Sequence, residues 1–171
     1  MDIIWAPWRM SYVDGSDVKG SERVEVGGDA DADCFICQAV FDVGHDRERL
    51  VICRTESTVT LLNKFPYNNG HLLVAPCDHV GSLGCVCEAV QLQILREIDR
   101  WVKVLEGLMK PDGFNIGLNL GRSAGAGLPG HLHWHIVPRW NGDTNFITTI
   151  SSTKIIPQSL NALWEILNSS R

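Results

Sequence analysis

Apolar and polar residues alternate along several short stretches of the chain, which is the pattern of a β-strand. In residues 131–137, Leu132, Trp134 and Ile136 alternate with three histidines. Because residues i and i+2 of a strand point to the same face, this stretch predicts a strand with one apolar face and one row of imidazoles. Four further strands are predicted at 50–53, 58–62, 71–76 and 114–120, the first three as an antiparallel meander.

A period of three and four residues replaces the alternation between Glu88 and Met109, and it predicts one long helix. The recurring residues are Leu92, Leu95, Ile98, Val102, Leu105 and Leu108. A shorter helix is predicted at 159–168, with Leu160, Leu163, Trp164 and Leu167 facing inward. Ahead of the first strand, residues 1–12 predict an arm with aromatic anchors. Residues 13–33, rich in Gly, Asp, Ser and Glu, predict a flexible loop.

Length and charge limit the kind of protein that this chain can form. With 171 residues, no internal repeat and no dividing linker, it is expected to be a single domain over 1–171. Its net charge of -5 argues against a protein that coats nucleic acid. No apolar run approaches the ~18–20 residues that span a bilayer, and the N-terminus lacks a signal-peptide pattern. We therefore expect a cytoplasmic protein without nucleic-acid or membrane partners.

Six cysteines in a protein expected to be cytoplasmic need an explanation other than disulfides. Four lie among apolar residues and are expected to be small core side chains: Cys53, Cys77, Cys85 and Cys87. Cys34 and Cys37 differ, because two thiols separated by two residues are half of a common zinc site. A pair of free cysteines is the alternative.

Glycines are concentrated in residues 121–130, directly before the histidines. Glycine lets a backbone approach a ligand and turn its N–H groups toward an anion, so the loop could hold a phosphate, although such loops are often simple turns. Three uses of the histidine row compete: metal ligands, a general acid or base, or a nucleophile at His133. The spacing alone does not decide between them, and His71 either faces the same site or ends a strand.

Several of these stretches together carry a family resemblance. Residues 131–137 have the pattern His-φ-His-φ-His-φ-φ, where φ is hydrophobic. Residues 61–76 resemble an asparagine loop and its following strand, and 114–121 resemble the strand before a phosphate loop. The chain thus resembles the histidine triad family. Residues 5–10 and 138–146 are similar to the branch that includes bacterial diadenosine tetraphosphate phosphorylases.

The resemblance implies an α+β fold, with an antiparallel sheet of about five strands, one long helix and a C-terminal helix. It also implies a homodimer whose sheet extends across both protomers. His133 matches the family's nucleophile, and His135 would contact the α-phosphate of a nucleotide. His131 would orient and support the nucleophile. Substrate contacts are expected from Asn63, Asn119, Gly125, Ala126 and Gly127.

Relatives of this family that contain zinc suggest a ligand set. They use a CxxC pair, a histidine after the third strand and the first histidine of the motif. In this sequence those positions are Cys34, Cys37, His79 and His131. Two sulfur and two nitrogen ligands suit a closed structural zinc site.

The resemblance implies an enzyme that forms a nucleotidyl-histidine and cleaves dinucleoside polyphosphates, such as diadenosine tetraphosphate, at the α-phosphate. The acceptor is water or inorganic phosphate. Ala126-Gly127 stands where the phosphorylases have Gly-Ser, which puts phosphate as acceptor in question. The alternatives are a non-catalytic, zinc-containing nucleotide-binding module, and a metalloenzyme in which the three histidines hold the metal.

Overall fold

The computed structural model describes residues 31–144 and 155–170. It contains the strands β1 (Val51–Arg54), β2 (Thr58–Leu62), β3 (Leu72–Pro76), β4 (Gly113–Leu118) and β5 (Trp134–Arg139). The helices are α1 (Phe35–Phe41), α2 (Glu88–Met109) and α3 (Leu160–Asn168). The predicted arm at 1–12 and most of the predicted loop at 13–33 lie outside the described residues.

All five strands form one sheet in the order β1-β2-β3-β5-β4, and every neighbouring pair is antiparallel. The α+β prediction, the five strands and the meander of β1 to β3 are therefore confirmed. Both predicted helices are also confirmed. α2 is followed by Lys110, whose backbone is in the left-handed conformation, and then by Pro111. α3 begins after Ser159, whose hydroxyl accepts the N–H of Ala162.

β5 begins at Trp134, so His131 and His133 lie before the strand and not within it as predicted. Extending the β3–β5 register would pair Leu132 with Pro76, which has no N–H for the ladder. The N–H of Leu132 donates instead to the carbonyl of Val80 at 2.8 Å. The chain therefore leaves the ladder where two of the three histidines are placed.

The sheet has a separate core on each face. Leu132 and Ile136 pack on one face with Trp101 of α2 and Leu167 of α3. The other face packs against α1, and its core is formed by Cys34, Ile36, Cys37, Ala39, Val51, Val59, Leu61, Leu73 and Ala75. The predicted division of the histidine stretch into an apolar face and an imidazole face is confirmed, because its apolar residues belong to the α2 side.

α2 carries two apolar stripes, and the sheet covers only one of them. The buried residues are Ile94, Glu97, Ile98, Trp101 and Leu105. Of the periodic residues in the sequence, Leu92, Leu95 and Leu108 are exposed. The stripe that contains Trp101 is the one buried, because that ring removes the most apolar surface from water.

The prediction that the four remaining cysteines are core residues is wrong for Cys85 and Cys87, is not borne out for Cys77, and holds in part for Cys53, which packs against the core on the α2 side. Cys85 and Cys87 are exposed, and Cys53 and Cys77 are half-buried. Cys85 ends a short 3-10 turn and Cys87 directly precedes α2, so both belong to a surface connection. Within 31–144 and 155–170, no helix is both long enough and apolar enough to cross a membrane.

Candidate active site and metal centre

Four histidines lie together on the face of the sheet opposite to α2. Their exposed fractions are 0% for His71, 0% for His131, 4% for His133 and 8% for His135. Leu73 pairs with His135, and His71 lies two residues before Leu73, so His71 and His135 share one face. Their ring centroids are 5.1 Å apart, and those of His133 and His135 are 5.2 Å apart.

The hydrogen bond of His133 defines its neutral tautomer. Its Nδ1 lies 2.8 Å from the carbonyl oxygen of His131. Since a carbonyl oxygen only accepts, the proton is on Nδ1, and Nε2 carries the free lone pair. Burial lowers the pKa of His133 below its ordinary value, which favours this neutral form. The Nε2 atom of His133 is therefore available as a nucleophile.

The tautomer of His135 follows from a chain of hydrogen bonds that begins at the backbone. The N–H of Tyr67 donates to Nδ1 of His71 at 3.0 Å, so the proton of His71 is on Nε2. That Nε2 lies 2.9 Å from Nδ1 of His135, which must accept. The proton of neutral His135 is therefore on Nε2. His135 is thus a donor beside His133, which is an acceptor.

His71 was left open by the sequence, and the structure places it in this group. Its position directly before β3 and after the asparagine loop was the available signal. Burial, followed by the nearby His135 and His133, lowers the pKa of His71 to about 3. His71 is thus neutral across the physiological range and acts as a fixed hydrogen-bond donor to His135.

The two predicted asparagines occupy different positions. Nδ2 of Asn63 lies 3.2 Å from Nδ1 of His71, and its Oδ1 accepts the N–H of Phe65 at 2.9 Å. Asn119 follows β4 directly, and extending the β4–β5 register places it opposite His133. Asn63 therefore lies at the His71 side of the histidine group and Asn119 at the His133 side.

The glycine-rich loop makes a short 3-10 turn at Arg122–Ala124. Gly121 and Gly125, at φ 77° and 85°, lie in the region that favours glycine. The N–H groups of Ala124 and Ala126 donate to the carbonyl of Gly121, and that of Gly125 donates to Arg122. These three N–H groups are thus used inside the loop. An anion bound to Gly125 or Ala126 would have to compete with those bonds.

The four predicted metal ligands come together. The ligand atoms of Cys34, Cys37, His79 and His131 all lie within 4.8 Å of one another. Nδ1 of His131 is 3.3 Å from Sγ of Cys34 and 3.6 Å from Sγ of Cys37, whose Sγ is 3.2 Å from Nδ1 of His79. Ligand atoms held at about 2.0–2.3 Å around a tetrahedral ion are roughly 3.3–3.8 Å apart. The group therefore fits a zinc ion.

Hydrogen bonding and burial also suit this group to a metal. Nε2 of His131 donates to the carbonyl of Pro76 at 3.0 Å, so its lone pair is on Nδ1, which faces the cysteines. Burial lowers the pKa of His131 to about 4 and raises the pKa of the Cys34 thiol to about 12. A cation would reverse the effect on the thiol. A methyl group on Gly130 would lie 3.2 Å from Nε2 of His79, so glycine there leaves room for the ring.

The CxxC pair is held at the start of a helix. Cys34 is the residue before α1, and its Sγ accepts the N–H of Cys37 at 3.4 Å. Both thiols are fully buried, at the start of α1. His131 connects this group to the histidine row, because its ring faces the cysteines while its carbonyl holds Nδ1 of His133.

Comparison with known proteins identifies the family. The HIT domain family matches residues 45–142. The chain is 38% identical over 159 residues to an AP-4-A phosphorylase of Mycobacterium tuberculosis, covering 92% of this chain and 77% of that protein. The chain belongs to the HIT domain family.

A more distant relative is the adenosine 5'-monophosphoramidase of Schizosaccharomyces pombe, 26% identical over 80% of this chain and 96% of that one. Two solved structures share the fold. A hypothetical histidine triad nucleotide-binding protein from Sulfolobus tokodaii is 27% identical, has a TM-score of 0.63, and is matched over 80% of this chain and 91% of its own. A zinc-bound histidine triad family protein from Mycobacterium smegmatis is 24% identical, with the same TM-score and coverage.

The buried neutral state of His71 makes the stability of the fold dependent on pH. Its folded pKa of about 3 lies below the unfolded value of about 6.5, so the unfolded chain binds a proton that the folded chain excludes. Stability is unaffected above pH 6.5 and falls as the pH drops toward 3. Between pH 7 and 5, the His71→Asn variant should lose about 2 kcal/mol less unfolding free energy than the unmodified protein, measured by denaturant titration.

His45 provides a control of opposite sign. It is exposed, and its hydrogen bond to Asp42 raises its pKa, so its contribution is present at low pH and lost as the pH rises. The His45→Gln variant should therefore lose stability more steeply on acidification. Parallel pH profiles for the unmodified protein and the His71→Asn variant would contradict the assignment.

Proposed function

We propose that this protein cleaves dinucleoside polyphosphates of the diadenosine tetraphosphate kind at the α-phosphate through a nucleotidyl intermediate on His133. The observation that carries the proposal is the pair of tautomers, with an acceptor Nε2 on His133 beside a donor Nε2–H on His135. The 38% identity to the AP-4-A phosphorylase of Mycobacterium tuberculosis supports the substrate class.

The two steps can be written for these residues. Nε2 of His133 attacks the α-phosphorus, a P–N bond forms, and the bond to the bridging oxygen breaks with its electron pair on the departing nucleoside polyphosphate. The Nε2–H of His135 donates a hydrogen bond to a phosphoryl oxygen, and this bond strengthens as charge develops. Water or inorganic phosphate then attacks the same phosphorus, and the P–N bond breaks with its electron pair on Nε2, which regenerates neutral His133. When water is the acceptor, the proton that it loses is released to solvent.

The remaining predicted contacts surround this pair. We propose that Asn63 and Asn119 bind ribose or phosphate oxygens from the two ends of the histidine group. Gly125, Ala126 and Gly127 are proposed as the loop contacts to phosphate. Of these three, Gly127 is best placed to offer its N–H, since the N–H groups of Gly125 and Ala126 are already bonded within the loop.

A zinc ion held by Cys34, Cys37, His79 and His131 is part of the proposal. With four protein ligands, a bound zinc would supply structural rigidity and keep no open position for substrate. The lone pair of His131 faces the two thiols, whereas Nδ1 of His133 is bonded to a carbonyl. This arrangement favours a structural metal over a catalytic metal shared by the three histidines. Thiol ligands also suit a reducing compartment such as the cytoplasm.

A homodimer is proposed on the exposed side of β4. Within the described part of the chain, this edge strand pairs only with β5. Ile116 on β4 and Leu120 just after it are about half exposed, as are Leu92, Leu95 and Leu108 of α2. An exposed edge strand with apolar side chains is otherwise prone to uncontrolled pairing, and a second copy that continues the sheet would cover it.

Product analysis tests the proposed reaction. We expect diadenosine tetraphosphate to be converted to ADP and ATP when phosphate is the acceptor, or to AMP and ATP when water is. Including labelled inorganic phosphate distinguishes the two, because phosphorolysis places the label in ADP. Tight nucleotide binding with no product over hours would contradict the enzyme and favour a binding module.

A further inference from the structure

The loop at residues 63–70, which joins β2 to β3, determines how the histidines are arranged. Its Tyr67 supplies the N–H that determines the tautomer of His71. The Tyr67 ring also packs on both imidazoles, with its centroid 4.7 Å from that of His71 and 5.6 Å from that of His135. The Tyr67 and His135 planes differ by 20°, so these two rings are stacked. A shift of this loop would therefore change both the tautomer and the orientation of His135.

The residue after Tyr67 anchors the loop to the end of β5. Asn68 is buried, and its Nδ2 donates to the carbonyl of Pro138 at 2.9 Å and to Oδ2 of Asp143 at 2.8 Å. Both amide hydrogens of Asn68 are thus used. A buried amide that lost such an acceptor would leave a donor unsatisfied, which favours movement of the loop.

Asp143 is itself held in place by hydrogen bonds from Arg139 and Trp140. Its carboxylate accepts from Nε and Nη2 of Arg139 through different oxygens, and its side chain is only 7% exposed. The N–H of Trp140 also donates to it, at 3.4 Å. A carboxylate held on both oxygens by one guanidinium has a defined orientation. Asp143 is therefore a rigid acceptor for Asn68.

We propose that Asp143 is a positioning residue for the pair His71 and His135. By holding Asn68, it keeps the Tyr67 N–H on Nδ1 of His71, and His135 therefore keeps an Nε2–H that can donate a hydrogen bond. This proposal rests on the proposed function for its catalytic consequence. Without the anchor, the loop carries away both donors to Nδ1 of His71, the Tyr67 N–H and Nδ2 of Asn63, and His71 can exchange its two neutral tautomers. The tautomer with its proton on Nδ1 turns its Nε2 into an acceptor, and His135 then presents the wrong atom to phosphate.

The test compares Asn68→Ala, Asp143→Ala and the double variant in the full-length protein. Each single variant should lower kcat on the order of 10-fold, because the hydrogen-bond donor to the phosphoryl oxygen is misplaced. The change in KM should be smaller, since Asn119 and the glycine-rich loop are not part of the released loop. The double variant should be no slower than the slower single variant. Asp143→Asn retains an acceptor oxygen for Asn68 and should recover part of the loss. Thr144→Ala is the matched control, since its hydroxyl also contacts Asp143 but not the loop.

A second readout does not depend on turnover. Long-range 1H–15N NMR of 15N-histidine-labelled protein reports which ring nitrogen is protonated, with His71→Asn and His135→Asn used to assign the signals. The unmodified protein should show both rings protonated on Nε2, and Asn68→Ala should show a tautomer mixture. If the unmodified protein forms no product, the proposed function fails, but the NMR result still tests whether Asn68 and Asp143 set the tautomers of His71 and His135.

Two outcomes would overturn the proposal. One is an unchanged tautomer pattern in a folded Asn68→Ala variant. The other is a double variant in which the two losses multiply. If Asp143→Ala fails to fold, Asn68→Ala decides alone, because it leaves the Arg139–Asp143 pair in place.

Discussion

Replacing His133 with alanine should lower turnover of diadenosine tetraphosphate by about 10³-fold or more, because no other group replaces the nucleophile. The carbonyl of His131 holds Nδ1 of His133, so the reactive lone pair is confined to Nε2. The measurement is kcat/KM for the purified variant, together with acid-quench trapping of labelled nucleotide on the protein. The unmodified protein should carry the label on His133, and the His133→Ala variant should carry none.

His45→Ala is the control for this experiment. His45 is an exposed histidine paired with Asp42, remote in sequence from the motif, and its removal should leave both turnover and labelling unchanged. Circular dichroism must show that the His133→Ala variant is folded, since His133 is buried. Full activity in that folded variant would rule out His133 as the nucleophile.

Replacing both Cys34 and Cys37 with serine should remove about one zinc ion per chain and lower Tm by roughly 10 °C or more. The reason is that the two thiols anchor α1 to His79 and His131 from within one core. Turnover should fall as well, because His131 would no longer hold the carbonyl that orients His133. Elemental analysis of the purified protein and thermal unfolding measure the first two effects.

The chain offers a matched control for the zinc experiment. Cys85 and Cys87 form another closely spaced pair, but both are exposed. Their double replacement with serine should leave metal content and Tm unchanged. Unmodified protein without bound metal after purification in zinc-containing medium would contradict the zinc site. A metal found at His133 would instead support the catalytic-metal alternative.

Local patterns in the sequence were enough to predict most of the fold. The alternation at 58–62 and the helical period from Glu88 to Met109 agree with β2 and α2 to the residue. These elements have clear boundaries, such as Pro111 after α2, and the local preference of each segment agrees with the secondary structure that it forms. The two-faced character of the histidine stretch could be predicted for the same reason, since side-chain direction along an extended chain depends only on position.

Other features depended on competition between segments that are distant in sequence. α2 has two apolar stripes, and the sequence does not show which one the sheet covers. The chain leaves the β5 ladder before Trp134 because Pro76 on the neighbouring strand lacks an N–H. Exposure of Cys85 and Cys87 likewise follows from where α2 begins relative to the sheet.

By itself the sequence determined the chemical groups of the site: three alternating histidines, the CxxC pair, and the motif shared with the HIT family. Only the tertiary structure decided the protonation pattern, because each tautomer depends on a backbone partner. The carbonyl of His131 decides it for His133, and the Tyr67 N–H decides it for His71 and His135. The role of Asp143 was also decided by the tertiary structure, since its contact with Asn68 joins residues 75 positions apart. Hydrogen-bond partners across such distances are set by strand order and register, which residue patterns do not encode.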